Sequence, residues 1–195
     1  RVDRRQRQMC IRDSPDTYKI PDGEDINIDF NGKLRELQEN AINTYIKTYE
    51  NNNVKGGGII SLGCGQGKTV VALNIIHRMK KKTLVVVHKE FLMNQWTERI
   101  QMFLPNAKVG IIQQDKYDVK GKDIVLSMLQ TISMRNFPLI AFDCFGLVII
   151  DEAHRVPSRV FSQALSKINS KYMLALTATP NSCLLYTSPS PRDAT

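Results

Sequence analysis

The sequence contains few cysteines and no long apolar run, and these shortages exclude several classes of protein. The 195 residues include four cysteines, and the two that lie away from the ends, Cys64 and Cys144, are too few and too far apart for a disulfide framework or a zinc site. A membrane-spanning helix needs about 20 consecutive apolar residues, and the sequence contains neither such a run nor a signal peptide. We therefore expect a protein of a reducing, intracellular compartment that has no membrane partner.

Both ends of the sequence resemble translated sequencing adapters. Back-translated, MCIRDS at 9–14 and CLLYTS at 183–188 fit nucleotide sequences that are reverse complements of each other. Neither end has the periodicity of a helix or a strand. Segments of this kind are set aside before the fold is considered. We therefore interpret residues 1–14 and 183–195 as adapter-derived.

Without those ends, the composition indicates one domain with a mild basic excess. Lys+Arg falls from 27 to 21 and Asp+Glu from 19 to 16, so the net charge falls from +8 to +5. This charge permits a polyanionic partner but does not require one. Only Cys64 and Cys144 remain of the four cysteines. We expect a polar leader or linker at 15–32 and a single domain at 33–182, a length that allows a substantial core.

Apolar periodicity predicts strands that alternate with helices. Continuous apolar runs such as TLVVVH at 83–88 and GLVIID at 146–151 indicate strands buried on both faces, as parallel sheets require. The full set of predicted strands is 57–62, 83–88, 108–112, 123–127, 146–151 and 172–177. The predicted helices are 33–50, 69–79, 90–103, one that starts near 128, and 157–168. This alternation predicts an α/β fold, a parallel sheet with helices on both faces.

The motif GCGQGKT at 63–69 follows a predicted strand and opens a predicted helix, which is the context of a phosphate-binding loop. Glycines let backbone N–H groups face phosphates, and the helix adds its positive dipole end. Lys68 would reach the β- and γ-phosphates, and the Thr69 hydroxyl would bind Mg²⁺. Leu62 stands where the strict pattern has glycine, so the match is to the shorter GxGKT form. The motif predicts ATP and Mg²⁺ as cofactors, with the binding residues Gly63, Cys64, Gly65, Gln66, Gly67, Lys68 and Thr69.

The motif DEAH at 151–154 places two carboxylates directly after a buried strand. Asp151 would hold Mg²⁺ through water, and Glu152 would orient and deprotonate the attacking water. The alternative is an acidic pair that caps a surface strand, but the phosphate loop upstream favours catalysis. His154 is either a structural imidazole or a link to a third motif further along the chain, and we favour the link. The predicted catalytic residues are Lys68, Asp151 and Glu152.

GCGQGKT, DEAH and LTATP (176–180) resemble, in that order and spacing, the motifs of superfamily 2 helicases and translocases. The chain would cover their first RecA-like domain. LRELQENAI (34–42) is similar to the adenine-recognition element of the branch that contains XPB-like, UvsW-like and type I and III restriction motors. LVVVHKEFLMNQW (84–96) resembles motif Ia of that branch, and IVLSMLQTI (124–132) resembles its next strand-end element. Within the branch, the sequence is most similar to XPB-like helicases of large DNA viruses, including the poxvirus-type transcript-release helicase.

The resemblance implies roles for residues outside the phosphate loop. Gln38, together with Arg35, would contact adenine, and Thr177 and Thr179 would couple the nucleotide state to the grip on nucleic acid. Strand ends at the carboxyl edge of a parallel sheet are where such folds bind ligands. The residues that would bind nucleic-acid phosphates there without reading bases are His88, Lys89, Ser127, Gln130 and Thr131. His88 and Lys89 replace the Pro-Thr that the branch often has.

Two other features receive structural interpretations. The run Lys80-Lys81-Lys82 is predicted to be a solvated helix end. Trp96, the only tryptophan, is predicted to lie in the core rather than to stack on a base.

The sequence therefore predicts the ATP-binding half of an ATP-dependent nucleic-acid motor, a DNA helicase or translocase, with DNA favoured over RNA as partner. The resemblance implies a second RecA-like domain that supplies an arginine finger, so we expect this half alone to hydrolyse ATP very slowly. One alternative is the motor subunit of a type I or III restriction enzyme. Another is a nucleotide-gated nucleic-acid-binding module without turnover, although a pure clamp would not need Glu152.

Overall fold

The computed structural model describes residues 20–50, 56–63, 65–138, 140–153 and 158–178. Strands and helices alternate along these residues. Their order is α1 (Glu36–Glu50), β1 (Gly56–Ser61), α2 (Lys68–Met79), β2 (Thr83–Val87), α3 (Glu90–Phe103), β3 (Val109–Gln113), β4 (Lys116–Tyr117), β5 (Ile124–Met128), α4 (Leu129–Met134), β6 (Leu147–Ile150), α5 (Ser158–Leu165) and β7 (Tyr172–Thr177). None of the helices in these ranges is long and apolar enough to span a membrane.

The strands form one sheet in the order β1-β7-β6-β2-β5-β3-β4. Every described pairing is parallel except that of β3 with β4, which is antiparallel. Parallel neighbours need crossover connections, and the helices supply them. The predicted α/β fold with a parallel sheet is confirmed. The hairpin strand β4 was not predicted, because its two exposed residues carry no periodic signal.

Two apolar cores lie on opposite faces of the sheet, so both faces are covered by helices. In the central strand β2, Val85 and Val87 pack with residues of α1, α2 and α3. The alternating residues Leu84 and Val86 pack with residues of α4 and α5 on the other face. Successive side chains of a strand point to opposite faces. A strand buried on both faces therefore reads as an unbroken apolar run, which is why the sequence signal of β2 was strong.

The described part of the predicted leader, from residue 20 onward, packs against the domain. The backbone N–H of Ile26 donates to the carbonyl of Lys80 at 2.9 Å, and that of Asn31 donates to the carbonyl of Phe103 at 2.7 Å. The side chain of Ile26 joins the core that α1, α2 and α3 cover. The segment was predicted to be a leader or linker because most of its residues are polar, and this composition gave no sign that its few apolar residues are buried.

The prediction of a solvated lysine run at 80–82 was wrong for two of its three residues. Lys82 is only 1% exposed, and its ammonium group donates to Glu24 Oε2 at 2.8 Å. Lys81 donates to Asp22 Oδ2 at 2.9 Å. A buried ammonium group is costly unless it is paired, and the leader supplies the carboxylates. These lysines therefore hold the leader on the domain.

Asp22 lies at the centre of this attachment, and its ionisation should contribute to stability. Its carboxylate accepts hydrogen bonds from Lys171 at 2.7 Å and from Lys81 at 2.9 Å. These bonds, with that from Lys171 the larger, lower the pKa of Asp22 below its ordinary value. The stabilisation is therefore present above the unfolded-state pKa of about 3.9 and is lost as the pH falls through the lower folded-state pKa.

We predict that Asp22→Asn lowers the midpoint of thermal unfolding at neutral pH by about 1–3 °C, because the ion pairs are partly exposed to solvent. The difference from the unmodified chain should shrink as the pH is lowered below about 4. Thermal melts across pH measure both effects. Asp29→Asn, an exposed change in the same segment, should leave the midpoint unchanged. Equal midpoints for Asp22→Asn and the unmodified chain at neutral pH would contradict the attachment.

Candidate active site

The phosphate loop connects β1 to α2 at the carboxyl edge of the sheet. Gly65 and Gly67 have φ values of 76° and 83°, in the left-handed region that glycine adopts without strain. A Cβ atom on Gly67 would also lie 2.4 Å from Nε2 of Gln38, so a larger residue there would displace that side chain. Lys68 is the first residue of α2, which places the amide end of that helix at the loop. Cys64 lies outside the described residues.

A chain of hydrogen bonds joins α1 to the phosphate loop. Gln38 is buried, and its Nε2 donates to the carbonyl of Gln66 at 2.8 Å. Its Oε1 accepts from the backbone N–H of Arg35 at 2.9 Å. The side chain of Gln66 closes the loop on itself, since its Oε1 accepts from the N–H of Gly63 at 2.7 Å. The two residues predicted to contact adenine are therefore connected to the phosphate loop through its backbone.

The predicted catalytic residues come together although they are far apart in the chain. Lys68 Nζ lies 3.2 Å from Glu152 Oε1, and both side chains are largely buried. Asp151 directly follows β6 and is 7% exposed. Glu152 has a φ of 52°, a left-handed conformation that costs a non-glycine residue about 1–3 kcal/mol. The loop lysine and the acidic pair thus form one cluster at the edge of the sheet.

Asp151 has a neighbour that sequence reasoning did not assign to the site. The indole N–H of Trp96 donates to Asp151 Oδ2 at 2.9 Å in a buried contact. Burial raises the pKa of Asp151 above its ordinary value, and the hydrogen bond from Trp96 offsets part of that rise. The prediction that Trp96 belongs to the core is confirmed by its exposure of 1%. A buried indole needs an acceptor for its N–H, and that requirement was the available signal.

The donor atoms at this cluster fit Mg²⁺. Thr69 offers a hydroxyl in the first turn of α2, and Asp151 offers a carboxylate at the end of β6. Mg²⁺ prefers oxygen ligands and commonly uses one or two protein side chains with water and substrate phosphates. Within the described ranges, no group of three or more His, Cys, Asp or Glu could hold a metal ion. The site therefore suits a cation that shares its ligands with a nucleotide.

The predicted coupling residues are only partly described. Thr177 is buried at the end of β7, next to Ser61 at the end of β1. Its carbonyl accepts from the N–H of Leu62 at 3.1 Å. Thr177 therefore contacts the segment that leads into the phosphate loop. His154 and Thr179 lie outside the described residues, and their roles stay predictions.

Four of the five predicted nucleic-acid contacts lie at neighbouring strand ends, where Lys89 and Gln130 are exposed and His88 and Thr131 are half-buried. His88 and Lys89 follow β2, while Gln130 and Thr131 lie in the first turn of α4, after β5. β2 and β5 pair directly, so these residues share one edge of the sheet. Ser127 differs, because it is fully buried and its hydroxyl donates to a carbonyl of β3 at 3.0 Å. That geometry argues against the predicted phosphate contact of Ser127.

Two cavities adjoin this surface. One of about 190 Å³ is lined by His88, Lys89, Phe91, Leu92 and Glu152, so it places the surface beside the catalytic cluster. The other, of about 460 Å³, is lined by Glu90, Gln113, Gln114, Met128, Gln130, Thr131, Met134 and Arg135. Sequence reasoning missed the β3 end and Arg135, since neither belongs to a recognised motif. The lining of the second cavity combines side-chain amides and the guanidinium of Arg135 with the carboxylate of Glu90.

Comparison with known proteins identifies relatives of this domain. The family model described as type III restriction enzyme, res subunit, matches residues 31–182. Protein L396 of Acanthamoeba polyphaga mimivirus, whose name describes an ATP-dependent RNA helicase, is 42% identical over 149 residues, covering 76% of this chain and 28% of that protein. The DNA 3'-5' translocase XPB2 of Sulfurisphaera tokodaii is 37% identical over 148 residues, covering 76% of this chain and 31% of that protein. The chain thus spans about a third of the length of these relatives.

Solved structures with the same architecture include an ATPase core and a helicase. The SWI2/SNF2 ATPase core of Sulfolobus solfataricus in complex with dsDNA has a TM-score of 0.63 and 21% identity, covering 84% of this chain and 35% of that chain. The UvsW helicase of bacteriophage T4 has a TM-score of 0.61 and 17% identity, covering 80% of this chain and 56% of that chain. At these identities the likeness establishes the fold, and the predicted RecA-like architecture is confirmed.

We predict that Lys68→Ala weakens ATP binding by about tenfold or more, because the phosphates lose a charged partner. Titration of a fluorescent ATP analogue into the 195-residue chain measures the affinity. Lys120→Ala, which removes an exposed lysine from a loop, should leave the affinity unchanged. An unaltered affinity in Lys68→Ala would refute the assignment of the phosphate loop.

We also predict that Gln38→Ala lowers thermal stability and narrows the preference for ATP over GTP. The change removes the partly buried hydrogen bond from Gln38 Nε2 to the carbonyl of Gln66, at a cost of about 0.5–1.5 kcal/mol. Parallel titrations with both nucleotides and a thermal melt separate the two effects. Asn40→Ala, an exposed change on the same helix, is the control. A lower melting temperature with unchanged nucleotide preference would mean that Gln38 is only structural.

Proposed function

The chain belongs to the type III restriction enzyme res-subunit family, and on that premise we propose that it is the ATP-binding domain of an ATP-dependent nucleic-acid motor. The observation that carries the proposal is the 3.2 Å contact between Lys68 of the phosphate loop and Glu152 of the acidic pair. A phosphate-binding lysine and a carboxylate suited to activating water are the two groups that nucleotide hydrolysis needs in one place. The predicted resemblance to XPB-like helicases is confirmed at the level of the family, and the likeness to the UvsW helicase is one of fold.

We assign the steps of hydrolysis to the chain's own residues. The loop amides and Lys68 bind the β- and γ-phosphates, and Glu152 accepts a proton from the attacking water. Thr69 and Asp151 would hold Mg²⁺, which when bound neutralises charge on the phosphate oxygens. The γ-phosphate competes with Glu152 for the ammonium group of Lys68. ATP binding would therefore release the Glu152 carboxylate to act on water.

We propose nucleic acid as the polymer partner, held at the strand ends that carry His88, Lys89, Gln130 and Thr131. Contacts of this kind reach phosphates and do not read bases. The cavity shared by His88 and Glu152 provides a physical route between this surface and the catalytic cluster. We propose DNA rather than RNA, in line with the name of XPB2 and the dsDNA complex of the SWI2/SNF2 core. The mimivirus relative is named as an RNA helicase, so the experiment must include RNA.

The two alternatives from the sequence are less well supported. A clamp without turnover has no use for a carboxylate held 3.2 Å from the loop lysine. The restriction-motor hypothesis is consistent with the family's description, but the relatives named above are a viral helicase and a translocase. We therefore retain the helicase or translocase proposal. The complete protein would contain a second RecA-like domain whose arginine completes the site, because related hydrolases need that group for a fast reaction.

We predict that Glu152→Gln abolishes nucleic-acid-stimulated ATPase activity while ATP binding is retained. Loss of a general base typically lowers the rate by about 10²–10⁴-fold. The assay uses the complete protein, which includes the second RecA-like domain proposed above. Double-stranded DNA, single-stranded DNA and RNA are tested as separate activators. Glu98→Gln, an exposed change on α3, is the matched control.

The outcomes of this assay separate the proposals. Stimulation by DNA that disappears in Glu152→Gln supports the motor, and stimulation by RNA alone would replace DNA as the partner. Turnover in Glu152→Gln at the unmodified rate would contradict the assigned mechanism. Nucleic-acid binding that depends on ATP, without any turnover in the unmodified protein, would favour the clamp.

A further inference from the structure

The contact between Trp96 and Asp151 joins two buried polar groups that satisfy each other. Trp96 is 1% exposed and Asp151 is 7% exposed. An indole N–H can only donate a hydrogen bond, and an ionised carboxylate can only accept one. A buried carboxylate without donors would be costly, and the 2.9 Å hydrogen bond to its Oδ2 supplies one. The arrangement is therefore a specific pairing rather than simple packing of an aromatic ring.

Asp151 is held by hydrogen bonds to its backbone and to its side chain. Its backbone N–H donates to the carbonyl of Val86 in β2 at 3.0 Å, which holds the main chain. The indole comes from α3 and holds one oxygen of the side chain. With backbone and carboxylate both bonded, rotation of the side chain would break the bond to the indole. A backbone hydrogen bond from Glu152 also reaches this carboxylate, and the indole adds a restraint that comes from α3, which begins directly after Lys89.

We propose that Trp96 is a positioning residue for the cation site, which fixes the Asp151 carboxylate in the orientation that Mg²⁺ accompanying ATP requires. The inference rests on the proposed function, since it presupposes a cation at Asp151. Geometry at a metal ligand depends on the groups that hydrogen-bond that ligand, and their loss typically weakens metal binding by about 10–100-fold. Trp96 does not contact the nucleotide in this proposal and acts only through Asp151.

The test replaces the indole N–H and keeps the shape of the side chain. Because Trp96 is the only tryptophan of the 195 residues, 3-benzothienylalanine can be incorporated there alone, with sulfur in place of the N–H. Trp96→Phe is a second variant that also lacks the donor. Met93→Leu, a buried change on the same helix, is the packing control. The readout is the Mg²⁺ concentration at which binding of a fluorescent, non-hydrolysable ATP analogue is half-maximal.

In both variants that lack the N–H donor, the Mg²⁺ concentration for half-maximal binding of the ATP analogue should rise about tenfold. The affinity for the analogue at saturating Mg²⁺ should stay unchanged. Met93→Leu should match the unmodified chain. An unchanged Mg²⁺ requirement in the benzothienylalanine protein would overturn the proposal, because that protein keeps the packing. Equal weakening at all Mg²⁺ concentrations would also overturn it, because it would indicate general damage to the fold.

A second measurement observes the contact itself. The chain should show one indole ¹H–¹⁵N resonance, which must belong to Trp96. The resonance should move when Mg²⁺ is added with the ATP analogue, and it should move in Asp151→Ala without any ligand. A resonance insensitive to both would contradict the pairing.

The failure of the inference can be distinguished from failure of the proposed function. Unchanged Mg²⁺-dependent binding in Asp151→Ala would refute the cation site and therefore the function. A strong effect of Asp151→Ala with none in the Trp96 variants would refute only the positioning role.

Discussion

The structure depends on one geometric constraint, that the parallel strands of the sheet end at a common edge. β1, β6 and β7 are consecutive neighbours in the sheet, so the phosphate loop, the acidic pair and Thr177 arrive at the same place from distant parts of the chain. The 3.2 Å contact of Lys68 with Glu152 is the direct result. β2 and β5 end at the same edge and bring the proposed nucleic-acid surface beside this cluster. The order of the strands in the sheet thus places the nucleotide site beside the proposed nucleic-acid surface.

Helix α3 connects the proposed nucleic-acid surface to the catalytic cluster. It starts after His88 and Lys89 at the proposed nucleic-acid surface, and one of its inner residues bonds the carboxylate of Asp151. A movement of α3 caused by bound nucleic acid would therefore displace the carboxylate of Asp151. A ligand bound at Asp151 would in turn affect the nucleic-acid surface, because coupling between sites is reciprocal. Gln38 makes an analogous connection on the other side, from α1 to the backbone of the phosphate loop. Both connections are single hydrogen bonds from buried side chains.

Sequence reasoning succeeded where a signal was periodic or chemically specific. The unbroken apolar runs predicted β2 and β6, and the glycine spacing predicted the loop in which Gly65 and Gly67 have positive φ. It did not foresee the bond from Trp96, which depends on how α3 packs against the sheet, or the burial of Lys82, which depends on a carboxylate 58 residues away in the chain. It also predicted a phosphate contact for Ser127, whose buried hydroxyl instead donates to the carbonyl of Ile112, because the sequence does not show how deeply a residue near a strand end is buried. These failures share a cause, since each concerns a tertiary contact between segments that are distant in the chain, and neither periodicity nor a local motif shows such a contact.

A structure of this chain with Mg²⁺ and a non-hydrolysable ATP analogue would show directly whether ATP displaces Glu152 from Lys68. The γ-phosphate should lie within hydrogen-bond distance of Lys68, and Lys68 and Glu152 should be separated beyond the roughly 4 Å of an ion pair. Mg²⁺ would lie between the phosphates and the oxygens of Thr69 and Asp151. A nucleotide bound away from the loop, or bound there with the contact between Lys68 and Glu152 unbroken, would contradict the central claim.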